Sequence, residues 1–211
     1  MKQSIPLSPQ ERKFKRHSPK IIFITLMCLS INALAQAEKN IPWQNNEISV
    51  GFFNDKFLNY TLPTPPPPLF WTATNVNSGA IISYQHLMYH TAEHFSFYLG
   101  LSSEYWVLNS QVIYGVSALI TFRFWALRTA IASPYLIYSI ASPTLLSRSH
   151  IDGVNLGSAF IFQDKLGLGV ELGAKHPVTL ELGVIHYSNG DVFPTNSGLQ
   201  VPFVLSIGYG F

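Results

Sequence analysis

Two long stretches of the chain, residues 105–122 and 129–147, carry no charged side chain, yet neither reads as a membrane helix. Each has about the length that a helix needs to cross a bilayer. The second contains Pro134, Pro143 and several serines, and the first carries Asn109, Ser110, Gln111, Ser117 and Thr121. Both show instead an alternation of period two, which belongs to strands. From Val112 the even positions read Val112, Tyr114, Val116, Ala118, Ile120, Phe122 and Phe124, while the odd ones include Gly115, Ser117, Thr121 and Arg123. Phe95, Phe97, Leu99 and Leu101 alternate with Ser96, Tyr98, Gly100 and Ser102 in the same way. Leu166, Leu168, Val170 and Leu172 alternate with Gly167, Gly169, Glu171 and Gly173.

Segments of this kind fall near residues 47–54, 79–90, 94–106, 111–126, 130–141, 156–173, 177–189 and 199–211. One face of each is apolar and the other is small or polar, the pattern of a transmembrane β-barrel. An antiparallel sheet in lipid must close, because an open edge leaves backbone groups unpaired in hydrocarbon. The expected fold is all-β, an eight-stranded antiparallel outer-membrane barrel. Side chains nearly fill the interior of eight strands, so no pore is expected. Composition agrees: 11% of residues are charged, against roughly 25% in an ordinary soluble domain.

Six of the 13 basic residues lie within the first 20 positions, and an uncharged apolar run, residues 21–35, follows them. It ends in small residues spaced A-x-A at Ala33/Ala35 and Ala35/Ala37. A basic start, an apolar run and a small-residue exit describe a cleaved secretory signal peptide. The expected organisation is a signal peptide over residues 1–37 and one barrel domain over 38–211. The sole cysteine, Cys28, lies inside the leader, and Met27 before it argues against a lipoprotein site. From Glu38 onward seven Lys+Arg face ten Asp+Glu, a net of −3, so the basic balance belongs to the leader and gives no reason to expect nucleic acid. An exported chain without disulfides fits a bacterial outer membrane.

Phe203, Leu205, Ile207, Tyr209 and Phe211 form one apolar face, and the chain ends on an aromatic residue. That resembles the terminal-strand signal of bacterial outer-membrane barrels. The run PTPPPP at 63–68 is expected as a polyproline II loop, since it cannot join a sheet. His86, His90 and His94 recur every fourth residue, but no cysteine or carboxylate cluster completes a ligand set. A zinc site needs three or four convergent ligands. No metal site is expected.

The stretch 179–200, TLELGVIHYSNGDVFPTNSGLQ, carries the chemistry. Residues two apart project from the same side of a strand. His186 and Ser188 are therefore neighbours at the end of the lipid-facing stripe Leu180, Leu182, Val184. One reading is that the strand leaves the membrane there and polarity resumes. The other is a serine nucleophile with a histidine base, placed to meet a substrate within the bilayer.

The segment His186-Tyr187-Ser188-Asn189, followed by Asn196 and Gly198, resembles the motif of the outer-membrane lipid A deacylases of the PagL type. Upstream, Asn155-Leu156-Gly157-Ser158 and residues 162–167 (FQDKLG) resemble the preceding strand of that family. The resemblance covers about residues 145–211. It implies a barrel that hydrolyses an ester-linked 3-hydroxyacyl chain of lipid A in lipopolysaccharide, with no cofactor. Ser188 is implied as nucleophile and His186 as general base. Asn189, Asn196 and the backbone around Gly190 are implied as groups that steady His186 or the oxyanion. The family's acid falls at position 200, where this chain has Gln200. A glutamine oxygen can accept from a histidine N–H and fix its tautomer, but it brings no negative charge. Gln200 has the parity of the lumen-facing Val204 and Ser206, and a one-residue bulge at Pro202 is expected to turn it toward His186. Asp191 is the alternative acid. The rival readings are a non-catalytic structural or adhesive barrel with a relic Ser–His pair and, last, a small-molecule channel. Whether the barrel works alone or as a homodimer is left open by the sequence.

Overall fold

The computed structural model describes residues 41–56 and 74–211. The expected leader over 1–37, with Cys28, and the proline run at 63–68 lie outside the described residues. In chain order the strands are β1 (Asn46–Asn54), β2 (Thr74–Asn75), β3 (Ser78–His90), β4 (Phe95–Leu108), β5 (Gln111–Trp125), β6 (Ala132–Leu146), β7 (His150–Ile151), β8 (Val154–Asn155), β9 (Phe160–Leu172), β10 (Val178–Ser188) and β11 (Leu199–Gly210). Eight of them run β1-β3-β4-β5-β6-β9-β10-β11, each antiparallel to its neighbours, and β11 pairs back to β1. The barrel is closed. The short strands do not change this. β7 and β8 form a hairpin within the β6–β9 connection, and β2 lies parallel to the start of β11.

The alternation read in the sequence is the wall of this barrel. In β5, Ile113, Gly115, Ser117, Leu119, Thr121 and Arg123 are buried while Tyr114, Val116 and Phe124 are exposed. In β11, Leu205, Ile207 and Tyr209 point outward and Val204 and Ser206 inward. An apolar exterior suits lipid, where the backbone of a closed sheet needs no other partner. Aromatic rings gather toward both rims of that exterior. Phe95, Phe97, Phe122 and Phe124 form one group, and Tyr105 and Tyr114 meet at a tilt at the other end, 5.6 Å between ring centres.

The lumen is filled rather than open. Arg123, 1% exposed, donates Nη1–H and Nη2–H to the two oxygens of Glu47 at 2.8 and 2.6 Å and reaches Glu181 at 3.0 Å. The rings of Tyr98 and Tyr135 lie 4.8 Å from its guanidinium carbon, and Lys165 pairs with the second oxygen of Glu181. Toward the other end an apolar cluster including Trp106, Ile113, Leu156, Ile185, Tyr187 and Val201 closes the interior. This packing runs against the channel reading. The sequence marks the inner faces as small or polar. The serines are there, but charges from β1, β5, β9 and β10 converge between them.

The expected segment 130–141 stops short. β6 continues through Ser142 and Pro143 to Leu146. Its pairing to β9 slips between Ser139 and Ser142, and its pairing to β5 slips at the same place. One extra residue there reverses the alternation, so the period-two pattern breaks at that point.

Candidate active site

Strand β10 is anchored from inside. Ile185 and Tyr187 are fully buried in the lumen, and the Tyr187 hydroxyl accepts from Trp106 Nε1 at 3.0 Å. Burying two such side chains contributes roughly 1.5–3 kcal/mol each, so the strand is held where alternation must turn His186 and Ser188 outward. Both are half-buried on the exterior. Two strand residues span about 6.6 Å, which brings the two side chains side by side near the rim.

His186 has a residue directly across from it on each neighbouring strand. On β11 that residue is Gln200, on β9 it is Asp164. Directly opposed residues project from the same face with β-carbons about 4.5–5.5 Å apart. Gln200, His186 and Asp164 thus form a polar row across three strands of a largely apolar wall. Asp164 is close enough for its charge to act on the His186 ring.

Each flank of the row is set by a bulge. Between β10 and β11 the register steps from Gly183↔Val204 to Ile185↔Val201, so β11 carries one extra residue around Pro202. This brings Gln200 opposite His186. Gln200 is 4% exposed, its Nε2–H donates to Asn75 Oδ1 at 3.2 Å, and its Oε1 has no hydrogen-bond partner among the described residues. Asn75 is available because β1 leaves β11 after Phe52↔Leu205 and β2 takes its place. On the other flank the β6 bulge puts Ala141 at a φ of 44°, in the left-handed region, and its N–H donates to Asp164 Oδ1 at 2.7 Å. Bulges that re-aim groups in this way are common beside active sites.

The β10–β11 connection turns sharply after Ser188. Gly190 and Asp191 both have positive φ, 61° and 59°, and Val192 N–H donates to Asn189 O at 3.2 Å, a mirror-image tight turn. Asn189 is fully buried, and its Nδ2 donates to the carbonyls of Leu156 and Thr195. Asn196 Oδ1 accepts from Asn189 N–H at 3.1 Å, and Asn196 Nδ2 donates to Asp191 Oδ1 at 2.9 Å. These contacts show what the two asparagines do in the loop. Their amides brace the loop through bonds to Leu156, Thr195 and Asp191. Asp191, the alternative acid, is held by Asn196.

The structure therefore brings Ser188, His186 and Gln200 to one face and adds Asp164, Ala141 and Asn75, which the sequence reading did not single out. Asp164 left a signal. It shares the parity of Leu166, Leu168 and Val170, and a carboxylate in a lipid-facing row is costly unless it has work to do. The three histidines of the sequence reading sit apart, His86 on Asn46, His90 stacked on Trp43 and His94 on the Trp125 carbonyl. Among the described residues no cluster of three or more His, Cys, Asp or Glu could hold a metal.

A family model described as lipid A 3-O-deacylase (PagL) matches residues 77–209. No curated protein matches the chain. Among solved structures it is similar to the crystal structure of the outer membrane enzyme PagL. The TM-score is 0.51 at 16% identity, over 78% of this chain and 97% of that one, a likeness in fold. The comparisons lend no support to a homodimer.

Proposed function

The chain belongs to the lipid A 3-O-deacylase (PagL) family, and on that premise we propose that it is an outer-membrane serine esterase that removes an ester-linked 3-hydroxyacyl chain from lipid A. The observation that carries the reading is the polar row Gln200–His186–Asp164 beside Ser188 on the lipid-facing wall. A nucleophile there meets a substrate that never leaves the bilayer. The row lies at the end of the barrel with the longer connections, 147–159 and 189–198, opposite the short turns at 91–94, 126–131 and 173–177. Long loops mark the cell-exterior end of such barrels, the side where lipopolysaccharide resides. Export through the leader over residues 1–37 is part of the same reading.

In the reaction Ser188 Oγ attacks the ester carbonyl while His186 takes its proton. The carbonyl oxygen becomes an oxyanion, for which the Gly190 N–H is the donor, presented by the turn that Asn189 and Asn196 brace. Collapse expels the sugar oxygen, which leaves with the proton held by His186. Water then attacks the acyl-serine, giving its proton to His186, and the fatty acid leaves as Ser188 recovers a proton. No cofactor enters.

One residue favours the rival, a non-catalytic barrel of the same fold: Gln200, which brings no charge to the family's acid position. The test is the mass spectrum of lipid A from membranes of a host with and without this protein. Loss of one 3-hydroxyacyl chain supports the esterase. Identical spectra with the folded barrel present support the rival.

A further inference from the structure

We propose that the work of a single triad acid is divided here between two strands: Gln200, oriented by Asn75, fixes the tautomer of His186, and Asp164 on the opposite side supplies the negative charge. The inference rests on the esterase reading and goes beyond it, since it assigns the charge to a strand that position 200 does not belong to.

The geometry supports each half separately. An amide has one donor end and one acceptor end. Asn75 Oδ1 takes the donor end of Gln200, so the acceptor end, Oε1, is the one left for a further donor, on a residue that the register sets directly across the sheet from His186. Oε1 is buried and has no partner among the described residues, a position that costs stability unless a donor reaches it. A histidine N–H that donates to Gln200 has its other ring nitrogen free of hydrogen, ready to take the Ser188 proton. The amide does this as well as a carboxylate, but it does nothing for the imidazolium that results.

Asp164 covers that deficit. It opposes His186 in the β9–β10 register, on the same face. It is aimed by a strained element: Ala141 adopts a left-handed φ of 44° in the β6 bulge and presents its N–H to Asp164 Oδ1. Backbone strain of this kind persists only where surrounding structure imposes it, and it gathers at functional sites. A carboxylate within about 4–6 Å favours the charged form of a histidine. As the proton passes from Ser188 Oγ to His186, the new positive charge lies between an amide that holds the ring and a carboxylate that offsets the charge. Asp164 acts through His186 and is a positioning residue.

The experiment uses full-length protein in detergent micelles, with two readouts: 3-hydroxy fatty acid released from lipid A, and the rate at which Ser188 is labelled by a fluorophosphonate. Labelling forms the Ser188 Oγ–P bond and releases fluoride, with the proton passing to His186, so it reports activation of the serine without requiring lipid A. Asp164→Asn keeps an acceptor for the Ala141 N–H, and heat-modifiable migration checks that the barrel is folded. The expected result is a fall of roughly 30-fold or more in kcat and in labelling rate, below the about 10⁴ that loss of a bonded triad acid costs, with KM unchanged. Gln200→Glu in the Asp164→Asn background should restore both rates to within a few-fold, because the charge then arrives from the other strand. Asp164→Glu should hold most of the rate. An Asp164→Asn protein within twofold of wild type, or a loss that Gln200→Glu does not repair, overturns the division of labour while leaving the esterase standing. A folded wild-type protein whose Ser188 neither labels nor deacylates overturns the esterase and the inference with it.

Discussion

A β-carbon on Gly157 would lie 2.1 Å from the carbonyl oxygen of Thr195, so the β8–β9 connection and the loop after Ser188 touch backbone to backbone. Asn189 joins the same contact, donating to Leu156 O and Thr195 O, and Ser197 N–H donates to Asn155 O at 3.0 Å. Two loops far apart in sequence are thereby one structure, and the turn that carries Gly190 depends on both. Gly157 also has a φ of 74°, where a side chain costs about 1–2 kcal/mol before any clash. Gly157→Ala should leave the barrel folded by heat-modifiable migration and should lower kcat at least tenfold, because the Gly190 N–H, the proposed oxyanion donor, shifts. Unchanged turnover in that variant would remove the loop contact from the account.

Arg123 balances the lumen. Its removal leaves Glu47 without its cation and Glu181 with Lys165 alone. Taking one member from a buried ion pair is destabilising by about 3–5 kcal/mol, whereas replacing both by neutral groups is often close to neutral. Arg123→Met should lower the urea midpoint for unfolding of the barrel, and Arg123→Met combined with Glu47→Gln should recover part of the loss. A single variant as stable as wild type would show that the ion cluster adds nothing to stability.

The strain at Ala141 can be relieved without touching its hydrogen bond. Glycine accepts a φ of 44° freely. Ala141→Gly should therefore hold or slightly raise the unfolding midpoint and keep turnover, since the N–H to Asp164 remains. Ala141→Pro lacks that N–H and is locked near −65°. It should lose both stability and turnover. Equal behaviour of the two variants would separate Asp164 from the β6 bulge.

What the sequence makes legible here, and what it hides, follows from the range of the interactions. The lipid-facing rows of β4, β5, β9 and β11 depend on parity within one strand, and parity is written in consecutive residues such as 111–125. The Ser188–His186 pair is equally local, an i, i+2 relation on β10. The bulge at Pro202 left a mark because proline interrupts a ladder. The β6 bulge had a similar mark in Pro143, inside the break of the β5–β6 pairing, but Ala141 shares the parity of the lumen-facing Ile137 and Ser139 and reads as an ordinary inward alanine until its φ is known. Asp164 and Asn75 belong to the site through cross-strand register, which long-range pairing sets. The Arg123 cluster has the same cause: its carboxylates come from β1 and β10, 76 and 58 residues away along the chain.

The central claim is that Ser188 is the nucleophile, and it is tested most directly by the purified protein, with lipid A in mixed micelles, and its Ser188→Ala variant. The readout is free 3-hydroxy fatty acid against time, with both barrels shown to be folded by heat-modifiable migration. Release by the wild-type protein and none above background by Ser188→Ala is the expected result. Release at the wild-type rate by Ser188→Ala would contradict it.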